Sequence, residues 1–111
     1  MKYMIIIFTL IVNLYSVDYK ELLFTGNCTA CHFTNKTISA PSILELKDRY
    51  FNAYPKKDDF IKNMSIWVQH PNPNLSLMND AIDKYEIMPE LGFGLETLRE
   101  IAEYIYITDF K

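Results

Sequence analysis

The expected fold class is all-α, and three observations lead there. Apolar residues recur at helical spacing over 58–69 and again over 95–108. Prolines and a glycine-containing stretch interrupt the chain where those patterns stop. No segment alternates apolar and polar residues as a half-buried strand does. The chain has 111 residues and half of them are apolar, which suits one domain with one core. At that length a core is marginal unless a disulfide, metal or cofactor staples it. The formal charge is −3 with no basic stripe, so no nucleic-acid partner is expected.

Residues 1–16 read apart from the rest. Lys2 precedes an apolar run over 4–12, shorter than the roughly 20 residues of a spanning helix. That is the layout of a secretory signal peptide. Ser16 suits the last position before cleavage, although Leu14 is not the small residue expected two positions before it. The alternative is an uncleaved N-terminal anchor. Residues 17–111 then form the domain, exported to the periplasm or held at the membrane, where disulfides are possible. Removing 1–16 takes away Lys2 and no acid, moving the formal charge from −3 to −4.

A first helix is expected over 18–30, with Asp18 as N-cap and Glu21 completing a capping box. Leu22, Leu23 and Phe24 supply its apolar surface. Residues 33–41 form a loop ending at Pro41. Ser42 caps a helix through Tyr50, with Ile43, Leu44 and Leu46 inward. Asp58 or Asp59 starts a helix to Gln69 whose stripe is Phe60, Ile61, Met64, Trp67 and Val68; Pro71 and Pro73 end it. A shorter helix covers 75–85. Residues 86–94 hold Pro89, Gly92 and Gly94 and form a loop. The last helix covers 95–108, with Leu98, Ile101, Ala102, Ile105 and Tyr106 as its stripe. Loops as long as 33–41 and 86–94 in so small a domain usually wrap something.

The chemistry concentrates in Cys28-Thr29-Ala30-Cys31-His32. On a helix, positions i and i+3 share a face, so the two thiols point the same way, with the imidazole beside them. Two thiols at this spacing can reach both vinyl groups of a haem while the histidine reaches its iron. C-x-x-C-H is the attachment signal of c-type haem. A zinc site needs about four ligands, and His70 is the one other histidine. A thioredoxin-like dithiol needs a βαβ pattern, which is absent. A plain disulfide would leave His32 incidental. For a second axial ligand the candidates are Met64, Met78, Met88 and His70. Met64 falls on an apolar helix stripe and Met78 in a helix. Met88 stands in a loop before Pro89, where it can be aimed at a metal without helical constraint, and the loop context favours it.

Over 18–110 the chain resembles the class I monohaem cytochromes c. The residues that carry the resemblance are Leu23-Phe24, the Cys28–His32 motif, APSIL at 40–44, WVQHP at 67–71 and EIMPELGFGLETLREIAEYI at 86–105. The resemblance implies a small cytochrome c fold, four to five helices wrapped around one covalently bound haem c. It implies that Cys28 and Cys31 form thioethers, that His32 and Met88 are the axial ligands, and that Pro41 offers its carbonyl to His32. Tyr50 and Trp67 would lie near the propionates or along the ring, and Phe24 would pack near Tyr104. Lys20 stands where the family has a glycine, eight residues before Cys28.

The function so implied is outer-sphere transfer of single electrons by a monomer that is not an enzyme. Its partners would be redox proteins: a quinol-oxidising complex upstream, and a terminal oxidase, peroxidase or reductase downstream. The rival readings are an electron-transfer subunit of a membrane complex, held by a retained N-terminus, and a haem peroxidase or ligand-binding protein with a labile methionine.

Overall fold

The structure is a computed structural model and describes residues 19–34 and 39–110. The leader expected at 1–16, the Asp18 cap and part of the 33–41 loop lie outside the described residues. Within them are five α-helices and no strand. They are α1 (Tyr19–Asn27), α2 (Ile43–Ala53), α3 (Lys57–Gln69), α4 (Asn79–Tyr85) and α5 (Leu95–Ile107), with a 3₁₀ turn at Pro73–Leu75. None is long and apolar enough to cross a membrane.

The core forms where α5 meets the others. Helix α3 packs most extensively on α5, α1 crosses α5, and α2 touches both α3 and α5. Phe24, Phe60, Ile61, Met64, Leu98, Ile101 and Ile105 are buried together. These are largely the stripe positions of their helices, so periodicity alone selects them. Three successive residues lie about 100° apart on a helix and cannot all face inward. Of Leu22, Leu23 and Phe24, only Phe24 is buried, and Leu22 is exposed. Phe24 rests against Tyr104 with centroids 5.2 Å apart. Lys20 reaches Glu103 on α5 at 3.1 Å, an ion pair at the helix crossing.

Helix ends follow local chemistry. The Ser42 side chain accepts a bond from Glu45 N at 3.2 Å and starts α2, which runs to Ala53. Helix α3 begins at Lys57 without a side-chain cap; Asp58 and Asp59 occupy its first turn, where negative charge suits the helix dipole. The expected 75–85 helix is broken in two. Asn72 accepts from Asn74 N at 2.9 Å and closes the 3₁₀ turn, while the Ser76 hydroxyl accepts from Met78 N at 2.9 Å. Such local bonds compete with helix continuation, so α4 starts only at Asn79. The first helix ends at Asn27 rather than Ala30 and passes into a turn that carries the cysteines.

Candidate functional site

The motif sits on that turn. Cys28 N donates to Phe24 O and His32 N to Cys28 O, both at 2.9 Å. The second bond closes one helical turn over 28–32, which sets the two cysteines and the histidine around a single wall. Past His32 the chain is tied to the start of α2: Ile43 N donates to Phe33 O at 2.9 Å and Leu44 N to Thr34 O at 3.2 Å. These bonds close the neck of the loop. They bring Pro41 beside His32, whose Nδ1 lies 2.7 Å from Pro41 O. A carbonyl can only accept, so the proton is on Nδ1 and Nε2 keeps its lone pair for a metal.

The wall faces a cavity of about 240 Å³. Cys28, Cys31, His32, Pro41, Tyr50, Trp67 and Met88 all line it, so seven residues spread over 61 positions of chain meet around one space. Met64 and Met78 line it too, which keeps three methionines at its surface. His70 stands elsewhere, on the exposed end of α3, with Nδ1 3.2 Å from Glu90 Oε1. Met78 is buried at the start of α4, and Met88 is half-buried in the loop after it.

Burial pushes the Cys28 thiol up to about 11, so it is neutral at ordinary pH. A redox nucleophile requires thiolate, and burial of Cys28 opposes it. Both cysteines are free thiols, and among the described residues no three His, Cys, Asp or Glu side chains gather as a metal cluster. Tyr50 is buried, and desolvation, with a smaller contribution from Tyr54, raises its pKa above the ordinary phenol value. Trp67 Nε1 donates to Asn72 O at 2.9 Å. Its N–H is therefore engaged by the backbone, leaving the ring for the cavity.

The opposite wall is held from α2. Arg49 Nη2 bonds Asp80 Oδ2 at 2.7 Å and Nη1 reaches Leu77 O at 3.4 Å, on either side of Met78. The Arg49 hydrogen bond holds the Asp80 carboxyl below its usual pKa. Sequence reasoning missed Tyr85, Phe93 and Leu98 as lining residues. Leu98 belongs to the α5 stripe already read as core, so the core face and the cavity face are the same face. The residues present fit a haem: two thiols, an imidazole with one open nitrogen and a thioether surround an apolar space. Comparison with family models, with curated proteins and with solved structures finds no match.

Proposed function

We propose that the chain is an exported c-type cytochrome that carries single electrons on one covalently held haem. The observation that supports this most is the held imidazole of His32. Its Nδ1 is committed to Pro41 O while the ring lines the same cavity as Cys28, Cys31 and Met88. In this reading the two thiols would attach a haem, and His32 Nε2 and the Met88 sulfur would hold its iron. A haem bound there supplies a one-electron couple. Pro41 fixes the tautomer and orientation of His32 and strengthens it as a ligand. The apolar walls exclude water and favour the less charged ferrous form, which raises the potential.

Two protein ligands leave no open coordination position, so the reading is a carrier and not an enzyme. Cys31 is exposed, which suits an attachment edge open to partners. Those partners would be a quinol-oxidising complex and a terminal oxidase, peroxidase or reductase, met in small transient contacts. The acidic balance suits basic docking faces. The test is an optical spectrum of the purified full-length protein in both oxidation states. A Soret band is expected, with a weak far-red ferric band that Met88→Ala abolishes and Met78→Ala retains. Protein that purifies with zinc and no Soret band overturns the reading. Loss of the far-red band in Met78→Ala alone moves the ligand to Met78.

A further inference from the structure

We propose that Glu86 is a strained hinge that turns Met88 onto the cavity and biases the 86–91 segment toward leaving it. Glu86 caps the C-terminus of α4 with φ 70° and ψ 170°. That backbone region is open essentially to glycine alone. Among the described residues Glu86 is the only non-glycine with positive φ. The same loop places a glycine, Gly92, at its other positive φ, 77°. The chain therefore supplies the permissive residue at one turn and withholds it at the other.

The side chain does not account for this choice. The Glu86 side chain is exposed and forms no hydrogen bond or ion pair within the described residues. Its backbone does the positioning. Glu86 N donates to Ile82 O at 2.9 Å and ends α4, and two residues later Met88 lines the cavity already walled by Met78 and Ile82. On the far side, Glu90 reaches His70 at 3.2 Å. Met88 thus hangs between two fixed points, each two residues away. That second point is a hydrogen bond between two exposed side chains, and a weak one. Relaxing Glu86 to ordinary extended backbone redirects the chain from residue 87 onward and carries Met88 off the wall. The release of strain opposes the burial that holds it there. The functional consequence rests on the haem reading: of the two side chains that would hold the iron, Met88 would be the less firmly placed and His32, tied to Pro41 O, the more firmly.

The test is hydrogen exchange on the full-length protein as purified, comparing the amides of Ile87, Met88, Glu90 and Leu91 with those of α3. Glycine reaches the Glu86 conformation without strain, whereas asparagine, which tolerates the left-handed helical region but not ψ near 170°, and alanine keep as much strain as glutamate. Exchange at 87–91 is therefore expected to slow about fivefold in Glu86→Gly and to stay unchanged in Glu86→Asn and Glu86→Ala. Equal or faster exchange in Glu86→Gly overturns the hinge. Slowing in Glu86→Ala as large as in Glu86→Gly also overturns it, since the carboxylate would then be responsible. Exchange does not need the haem. A missing Soret band rejects the haem reading alone, and the contrast of Gly with Asn and Ala still decides the hinge.

Discussion

Phe60 shows how much one residue carries in a domain of this size. It is fully buried and meets Tyr106 and Tyr50 edge-on, with centroids 5.0 and 6.0 Å away. Phe60→Ala is expected to destabilise the fold by about 3–5 kcal/mol in denaturant unfolding, since the lost transfer energy adds to an unfilled cavity. That is comparable with the ~5–15 kcal/mol that holds a domain together. A change below about 1 kcal/mol would show that the ring is not packed as described. Other residues were legible for different reasons. Cys28, Cys31 and His32 declare themselves through spacing, and Met88 through its proline-flanked loop. The engagement of the Trp67 N–H by Asn72 O has no sequence signal, because it depends on how the chain turns after α3.

At the scale of elements, caps and crossings set the helices. Ser42 is buried and its hydroxyl satisfies Glu45 N. Ser42→Ala is expected to cost about 1 kcal/mol, read as a fall of about 5 °C in Tm. Glu103 on α5 accepts from Lys20 of α1 and Lys57 of α3, joining three helices at one carboxylate. Those two hydrogen bonds, Lys20 first, lower its pKa. A lowered folded pKa means that the unfolded chain takes up its proton first. The contribution is therefore present above the ordinary glutamate pKa and is lost as pH falls through the folded value. Thermal unfolding across acidic pH should show a shallower decline in Glu103→Gln than in the parent. Identical slopes would place the acid sensitivity elsewhere. The α1–α5 crossing carries an ion pair on the long side chain of Lys20. Helix existence and type were readable from periodicity and punctuation. The break over Ser76–Met78 was not, because two side chains divert backbone donors that the apolar pattern leaves to a helix.

Across the whole molecule, cavity and core are one structure. Ile43, Tyr50, Met64, Leu98, Ile101 and Ile105 are core residues that also line the cavity. Whatever fills the cavity therefore packs against the same side chains that hold the helices together. In the haem reading, a Cys28→Ala/Cys31→Ala double variant should keep helical far-UV dichroism and lose near-UV signal and cooperative unfolding. Native near-UV dichroism and a sharp transition in that variant would mean that the helices close a core without a cofactor. The seven residues singled out for the site are spread from Cys28 to Met88, and only packing brings them around one cavity.

The sequence by itself determined an all-α chain, the presence of its helices and the limits of α3 and α5, the stripe residues that face inward and the clustered chemistry of Cys28 to His32. These are local properties: repeat period, cap, proline and short spacing act within one or two turns of chain. Tertiary structure alone decided that Pro41 O lies 2.7 Å from His32 Nδ1, that Met64, Met78 and Met88 line one cavity, and that His70 stands off at Glu90. It also decided the backbone of Glu86, whose positive φ no glutamate would announce. Each of these depends on where a loop returns to a distant helix, and that is set by burial of the whole core rather than by the residues nearby in sequence.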